Sequence, residues 1–292
     1  MSRAVVSSVA PWFRLVRFSH TLFALPFALV GLTWGFASMG AVSLRTVLLV
    51  LACMVLARNA AMGYNRLLDR KIDALNPRTK GREIPMGAIS VRGGAVFVVV
   101  NAALFMLATF FLNSLTFYLS PVALLLLLGY SYTKRFTWLC HFWLGLTLAL
   151  APLGAYVAAT GHFDLDTLLL AIGVLLWVGG FDIVYSLQDA EFDRANHLFS
   201  IPVAMGVRGA IWLARIAHLL AVVLFTVAFH LMGIGVWGVG GILLFASVLV
   251  WQHTLFSPAR LERIDGRFML TNGINSIILS MVVIAGIVAR SV

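Results

Sequence analysis

Charged residues are scarce in this chain of 292 residues: Asp, Glu, Lys and Arg make up 11% of it, against 61% hydrophobic residues. A soluble domain carries about a quarter charged residues. So little polar surface cannot cover a water-soluble globule, which excludes a soluble fold. The mean hydropathy of +0.99 therefore predicts a protein whose solvent is the lipid bilayer.

Cysteine pairs and histidine–metal spacings are also missing. The two cysteines, Cys53 and Cys140, lie in or beside apolar runs, and we expect them to pack rather than to form a disulfide. No two of the seven histidines have metal-ligand spacing close to an acid. Only His20 falls near the candidate site described below, and the other histidines are expected to have interface or packing roles.

The N-terminus has no cleavage-like site after an apolar core, so it is not read as a removable signal. It predicts instead an amphipathic segment on the membrane surface, with the apolar residues Trp12, Phe13, Leu15, Val16 and Phe18.

The net charge of +10 is carried by short basic clusters between apolar runs, without a basic stripe interleaved with aromatics. Nucleic acid is therefore not expected as a partner.

Long apolar runs dominate what is present. Membrane helices need roughly 17–25 apolar residues. Two of the boundaries between predicted spans, after residue 112 and after residue 230, depend on weak turn signals. These signals are Asn113 and the Gly233–Gly235 pair. The fold class is thus an all-α integral membrane bundle, one domain over 1–292. Its predicted spans number about nine, at 21–39, 46–64, 94–112, 114–130, 138–158, 166–188, 210–230, 234–254 and 270–290.

Basic residues indicate the orientation of the spans. If the N-terminus is cytoplasmic, 18 of the 21 basic residues fall in inner segments. The outer side keeps only Arg45 and Arg290, and Arg58 lies within a predicted span. The bias predicts a cytoplasmic N-terminus and an outer C-terminus, as in a multi-pass protein of a bacterial inner membrane.

Acidic residues gather in two clusters at cytoplasmic span ends. The first reads Asn65-Arg-Leu-Leu-Asp69-Arg-Lys-Ile-Asp73, with oxygen ligands four residues apart on one helical face. The second reads Asp182-Ile-Val-Tyr185-Ser-Leu-Gln-Asp189-Ala-Glu-Phe-Asp193, again with one face in common. Orientation does not require acids there, since acids contribute little to it. These acids are therefore candidates for function.

Two facing sets of carboxylates need a cation between them, because their repulsion would otherwise raise their pKa values. Hard oxygen ligands with few fixed positions suit Mg²⁺, which shares its shell with substrate phosphates. The clusters therefore predict a magnesium–diphosphate site at the inner surface. The alternative is that the acids simply pair with neighbouring arginines on a solvated loop.

The clusters resemble the paired aspartate motifs of the UbiA superfamily of intramembrane prenyltransferases. In that family an Asn- and Asp-rich motif follows the second helix, and a Tyr-x-x-x-Asp-x-x-x-Asp motif follows the sixth. Further similarities are Arg58, seven residues before Asn65, the run Tyr130-Ser-Tyr-Thr-Lys134-Arg135, and the loop Asn76–Gly87. The resemblance covers nearly the whole chain, with its motifs in order.

The resemblance implies magnesium-dependent transfer of a polyprenyl group from its diphosphate to a hydroxylated aromatic acid, within a central cavity open to the cytoplasmic side. It implies magnesium ligands at Asn65, Asp69, Asp73, Asp189 and Asp193. Cations that would contact the diphosphate or the aromatic acid are Arg58, Lys134, Arg135, Arg78 and Arg82, with Tyr130 beside them.

Two more residues of the second cluster have expected roles that follow from their chemistry and position. Asp182 is expected to be a proton acceptor or a partner for Arg58. Tyr185 is expected to stabilise the allylic cation with its ring face, or else to pack. Arg58 is expected in the cavity, the alternative being that it extends to the membrane interface.

One departure concerns the acceptor. Many 4-hydroxybenzoate enzymes of the family carry aspartate directly after the motif asparagine, whereas this chain has Arg66. With Ser200-Ile201-Pro202, this pattern is similar to the branch of the futalosine route to menaquinone. The acceptor thus stays open between 4-hydroxybenzoate and a dihydroxynaphthoate, in ubiquinone or menaquinone biosynthesis.

Other readings are a secondary transporter, a family enzyme with another acceptor such as heme or an ether-lipid precursor, and a non-catalytic lipid-binding scaffold. The acids lie at helix ends rather than at the midplane, which favours an enzyme over a transporter. Prenyl chain length and oligomeric state are left open by the sequence.

Overall fold

The computed structural model describes residues 10–16, 23–255 and 266–291, and every regular element in this part is a helix. The short helix at residues 10–16 is termed α1, and the residues Phe18 and His20 of the sequence analysis lie outside the described part. The other helices are α2 (Leu25–Met39), α3 (Leu44–Leu68), α4 (Arg70–Leu75), α5 (Val91–Phe110), α6 (Ser114–Thr133), α7 (Cys140–Thr160), α8 (Leu165–Ser186), α9 (Ala190–Ala195), α10 (Ile201–Leu231), α11 (Gly235–Leu255) and α12 (Gly266–Ser291).

Eight helices among the described residues are long and apolar enough to cross a membrane. The ninth predicted span corresponds to α2, which has 15 residues and is about 22 Å long at 1.5 Å per residue. Residues 21 and 22 of that span lie outside the described part. The prediction of an all-α, multi-pass integral membrane protein is confirmed.

Both weak turn signals mark real breaks between spans. The Asn113 side chain accepts hydrogen bonds from the amide (2.9 Å) and hydroxyl (3.0 Å) of Thr116, which caps the start of α6. Gly233 and Gly235 have φ of 66° and 51°, a left-handed conformation that glycine adopts without a Cβ penalty. The chain therefore turns between α10 and α11 at these two glycines.

The described chain forms two compact units. The first comprises Met1–Thr21 and Leu48–Tyr132. In it, Leu15 and Val16 of α1 are buried against Ile84 and Ile89 of the loop before α5. Trp12 stacks near Phe97 with ring centroids 5.0 Å apart. One side of the predicted N-terminal amphipathic segment thus packs on protein.

The second unit comprises Leu22–Val47 and Thr133–Val292. Its core contains large aromatic side chains from six helices, and Trp177 of α8 is among them with no exposed surface. The Trp177 ring is 5.5 Å from Phe27 and 5.8 Å from Phe245, centroid to centroid. Such aromatic packing fixes the positions of α2, α8 and α11 within this unit.

Glycines permit the closest helix contacts in the second unit. A Cβ at Gly145 of α7 would overlap the carbonyl oxygen of Leu175 in α8, and one at Gly31 of α2 would overlap that of Pro152 in α7. Small residues that let helix backbones approach are typical of membrane helix pairs. The close packing of α7 on α8 matters for the site, because it brings the start of α7 to the C-terminal end of α8.

Candidate active site

The first motif lies where α3 ends and α4 begins. Asp69 separates the two helices, with φ −86° and ψ 1°, although the Asp69 amide still bonds to the Asn65 carbonyl at 2.9 Å. The expectation of one unbroken helical face from Asn65 to Asp73 is therefore corrected: the helix is interrupted at its middle ligand. Aspartate favours such breaks because its side chain competes for hydrogen bonds with the backbone. The Asn65 amide donates to the Asp69 carboxylate at 2.9 Å.

Asp73 is the most deeply buried acid of the first motif, with 5% of the residue exposed. Both of its carboxylate oxygens accept from Nη1 of Arg82, at 2.6 and 2.7 Å. The loop is held in place because the Thr79 hydroxyl donates to the Asp73 carbonyl at 3.1 Å. The first unit thus brings together two of the predicted site residues, a buried carboxylate and its cation.

The remaining predicted residues of the first unit are spread along α3, α6 and the loop after α4. Arg58, within α3, donates from Nη2 to the Val16 carbonyl at the end of α1, at 3.1 Å. Arg66, the departure from the family pattern, has a buried side chain. Arg78 is exposed, and Tyr130 near the end of α6 is half-buried.

The second motif repeats the break of the first. After α8 ends at Ser186, a 3₁₀ turn covers Leu187–Asp189 and α9 follows. Asp189 has φ −99° and ψ 0°, nearly the conformation of Asp69. Here too the shared helical face is interrupted at the middle aspartate. Both residues lie in the bridge region of backbone conformations, which many active-site residues occupy.

Asp193 repeats the pattern of Asp73. It is 2% exposed, and its Oδ2 is 3.2 Å from Nζ of Lys134. The Lys134 carbonyl accepts from the Phe199 amide at 2.7 Å, which fixes the loop after α6 beside the loop after α9. Burial by itself lowers the pKa of Lys134, but nearby anionic groups, Asp193 foremost, outweigh burial and raise that pKa. Lys134 is therefore a firmly charged partner of Asp193.

Two predicted residues of the second unit have less defined surroundings. Arg135 follows Lys134 and is half-buried. Tyr185 is half-buried and packs against the core of the unit. This contact gives Tyr185 a packing role, and its interaction with a substrate stays a prediction.

Asp182 contacts a residue that the sequence analysis did not single out. His141, in the first turn of α7, is fully buried, and its Nδ1 is 2.7 Å from Oδ2 of Asp182. We expected an interface or packing role for this histidine, and the structure adds a hydrogen-bond contact with a predicted site residue. The only sequence signal was position: His141 follows Lys134 by seven residues at the start of a span.

The oxygen-rich donor set is what a magnesium ion would require. The five predicted ligands are one side-chain amide and four carboxylates, without sulfur or imidazole. Within the described residues, no group of three or more His, Cys, Asp or Glu side chains is arranged to hold a metal ion. The acids of each motif instead have internal partners, Arg82 for Asp73 and Lys134 for Asp193.

The fold and these motifs define a multi-pass α-helical membrane protein with an acidic motif at the end of each of two spans. Residues 24–274 match the UbiA prenyltransferase family. The chain therefore belongs to that family and is a prenyltransferase-family enzyme. The transporter and scaffold readings are dropped on this ground.

Relatives and solved structures agree with this assignment. A 4-hydroxybenzoate octaprenyltransferase of Aeromonas salmonicida (strain A449) is 30% identical over 241 residues, 81% of each chain. The apo structure of a UbiA homolog from Aeropyrum pernix K1 is 34% identical with a TM-score of 0.81, covering 94% of this chain and 98% of that one. A UbiA homolog from Archaeoglobus fulgidus bound to GPP and Mg²⁺ has a TM-score of 0.75 at 20% identity, covering 95% and 99%, and supports the fold.

Proposed function

We propose that the protein transfers a polyprenyl group from polyprenyl diphosphate to a hydroxylated aromatic acid, in a magnesium-dependent reaction. The observation that carries this proposal is the repeated motif: two aspartates of the same backbone conformation, each at the end of a span and each followed by a buried, cation-paired aspartate. Membership of the UbiA prenyltransferase family supports prenyl transfer. The names of relatives such as the Aeromonas salmonicida enzyme support 4-hydroxybenzoate as acceptor.

Magnesium fits the residues of the two motifs. Asn65, Asp69 and Asp73 supply hard oxygen atoms in the first motif, and Asp189 and Asp193 do so in the second. When bound, the ion would neutralise the diphosphate and so make it a better leaving group. The homolog from Archaeoglobus fulgidus, solved with GPP and Mg²⁺, supports this assignment by analogy.

The cations of the chain are proposed to hold the diphosphate oxygens and the carboxylate of the aromatic acid. Lys134 and Arg82 already pair with the buried aspartates, so positive charge is in place at each motif before the substrates arrive. A fixed positive charge next to a developing negative charge stabilises the transition state more than a mobile one. The other proposed substrate contacts are Arg58, Arg78, Arg135 and Tyr130.

The bond changes of the proposed reaction balance without any further reactant. The carbon–oxygen bond of the prenyl diphosphate breaks, and the diphosphate leaves with the electron pair. A ring carbon of the acceptor forms the new carbon–carbon bond and then loses its proton. The electron pair of the broken carbon–hydrogen bond returns to the ring and restores its aromaticity. The chain must exclude water, which would otherwise trap the allylic cation. The aromatic ring of Tyr185 is proposed to stabilise that cation.

A second acceptor has a specific observation in its favour. Arg66 stands where many 4-hydroxybenzoate enzymes carry an aspartate, and its side chain is buried. A dihydroxynaphthoate is therefore the second candidate acceptor. The two acceptors belong to the same reaction class, and a direct comparison distinguishes them.

The distribution of basic residues supports a cytoplasmic N-terminus and a cytoplasmic active site. This orientation suits a substrate with a diphosphate head group and a lipid tail, because the head group stays in water while the tail enters the bilayer. Membrane lipids are accordingly the surroundings of the enzyme.

The test is prenyl transfer by the purified protein in detergent, with polyprenyl diphosphate and either 4-hydroxybenzoate or a dihydroxynaphthoate. We expect a prenylated aromatic product in mass spectrometry, with loss of the product when EDTA removes magnesium. Asp69→Asn and Asp189→Asn should each lower turnover about 100-fold or more. Glu191→Gln is the matched control, because Glu191 lies next to the second motif and is exposed.

Each outcome bears on a different part of the proposal. No product from either acid, while diphosphate is released onto another acceptor, would sink the aromatic specificity. Turnover that persists in both aspartate variants would show that the metal ligands are assigned wrongly. A product from the dihydroxynaphthoate alone would favour the menaquinone branch.

A further inference from the structure

A buried histidine has both of its nitrogens engaged at the inner end of the second unit. His141 is fully buried, with Nδ1 2.7 Å from Asp182 Oδ2 and Nε2 3.3 Å from the amide nitrogen of Ile201. The Ser186 hydroxyl is 3.5 Å from Nε2, but it donates to the Ile183 carbonyl at 2.8 Å. Ile201 is therefore the donor to Nε2.

These contacts determine the tautomer of His141. A backbone amide can only donate, so Nε2 of His141 must be the acceptor in its bond with Ile201. The single proton of the neutral imidazole is then on Nδ1, and it is donated to the Asp182 carboxylate. The amide of Ile201 comes from the first residue of α10. His141 thus connects the starts of α7 and α10 to a carboxylate near the end of α8.

Asp182 differs from its partner in exposure. Its side chain is 20% exposed, whereas the His141 side chain is not exposed at all. Oδ2 is bound to the histidine, and within the described residues Oδ1 has no hydrogen-bond partner. Asp182 also precedes Tyr185 by about one turn of α8, and Asp189 lies in the 3₁₀ turn that follows this helix. One carboxylate oxygen is held by the histidine, and the side chain as a whole keeps some exposed surface.

We infer that His141 is a positioning residue that orients Asp182 as the proton acceptor of the prenyl transfer, an inference that rests on the proposed function. After the carbon–carbon bond has formed, Oδ1 of Asp182 takes the proton from the prenylated ring carbon. The electron pair of that carbon–hydrogen bond returns to the ring. Asp182, now a neutral acid, returns its proton to water through its exposed side, and His141 remains the neutral donor to Oδ2 throughout.

The arrangement is suited to this role because a buried donor limits the carboxylate to one orientation. Holding a reacting group in a productive geometry removes rotational freedom before the reaction begins. A buried imidazole with fixed partners on both nitrogens is more rigid than a water molecule or a lysine would be. Loss of the imidazole would leave both Oδ2 of Asp182 and the Ile201 amide without this partner.

The experiment compares two replacements of His141 in the full-length protein. His141→Leu fills the space without hydrogen bonds, and His141→Gln retains one donor and one acceptor. We expect His141→Leu to lower kcat between about tenfold and 100-fold, and Asp182→Asn to lower it at least as much. His141→Gln should recover most of the lost kcat. Affinity for polyprenyl diphosphate, measured by direct binding, should be unchanged in all three.

An isotope effect distinguishes positioning from a general loss of structure. With deuterium on the ring carbon that is prenylated, His141→Leu should show a larger isotope effect on kcat than the wild type, because proton removal has become slower. In the Asp182→Asn background, His141→Leu should have little further effect, since the two residues act as one unit. His162→Leu is the control, because its side chain is 53% exposed and lies just beyond the other end of α7.

Contrary results have distinct meanings. Wild-type kcat and isotope effect in His141→Leu, equal losses for Leu and Gln, or additive losses with Asp182→Asn would each overturn this inference. If His141→Leu does not fold, His141→Asn, which is polar but shorter, replaces it in the same comparison. If the wild-type protein prenylates neither acid, the proposed function itself has failed. If Asp69→Asn and Asp189→Asn abolish turnover while His141→Leu does not, only the role of His141 is refuted.

Discussion

Asp73 and Asp193 are nearly buried carboxylates, and each has a cation from another part of its own unit as partner. Burying an unpaired charge is costly, and a paired charge is destabilised when one member is removed. Arg82 and Lys134 are therefore each expected to stabilise the fold around the motif with which they pair.

The pair in the first unit allows a direct test of stability. Arg82→Met should destabilise the protein by about 3–5 kcal/mol, because the Asp73 carboxylate would be left without its cation. The side chain of Asp73 is only 7% exposed, so water cannot replace the lost partner. The measurement is the thermal unfolding midpoint of the purified protein in detergent.

Two companion variants identify the cause of that loss. Lys80→Met removes a charge from an exposed position of the same loop and should leave the midpoint unchanged. Adding Asp73→Asn to Arg82→Met should restore part of the stability, because the amide carries no buried charge. An Arg82→Met protein as stable as the wild type would contradict this account of the pair.

At the residue scale, the sequence was informative about composition and spacing but not about hydrogen bonds between distant positions. Asn65, Asp69 and Asp73 stand out because acids are scarce and their spacing is regular. His141 does not stand out, because a histidine near a span end is common and its partner Asp182 is 41 positions away. A pairing of this kind depends on how α7 packs on α8, which no local pattern encodes.

At the scale of elements, α7 and α8 are joined by a close backbone contact at Gly145. A Cβ there would overlap the Leu175 carbonyl oxygen, whereas one at Gly154 in the same helix would meet nothing within 4 Å. The two glycines therefore differ in their neighbours and not in the kind of helix that contains them. They form a matched pair for testing whether the contact holds the two helices together.

Gly145→Ala should destabilise the protein by about 1–3 kcal/mol, the usual cost of forcing an extra carbon into a packed core. Gly154→Ala should be neutral or stabilising by up to about 1 kcal/mol, since alanine favours helix more than glycine does. Thermal unfolding of both variants measures the difference. Because His141 and Asp182 lie on these two helices, Gly145→Ala should also lower prenyl transfer. Equal stability of the two variants would refute the proposed contact.

The elements were predictable where the signal was long or chemically distinct. Apolar runs indicated all eight long spans, and Asn113 marked the break before α6 because its side chain caps the helix. The breaks at Asp69 and Asp189 were not predicted, since helical spacing of the acids suggested continuous helices. At Asp69 and Asp189 a ψ angle of about 0° interrupts the helix. Such a local change cannot be predicted from the spacing of residues in the sequence.

At the scale of the whole molecule, composition alone indicated the bilayer as solvent, and the distribution of basic residues predicts the orientation. Two exposed positions report on it from opposite predicted sides. Lys80 lies in the loop between α4 and α5, on the predicted cytoplasmic side. Val42, which is 79% exposed, lies in the connection between α2 and α3, on the predicted outer side.

Cysteines introduced singly at these positions should react with a membrane-impermeant maleimide from opposite sides. We expect Lys80→Cys to be labelled only in inverted vesicles and Val42→Cys only in right-side-out vesicles, because the reagent cannot cross the bilayer. The wild type is the background control, since Cys53 and Cys140 are both buried. The reverse pattern would place the acidic motifs on the outer side, away from a cytoplasmic supply of diphosphate substrate. Labelling of both variants from one side would mean that α3, the long helix between these two positions, does not cross the membrane.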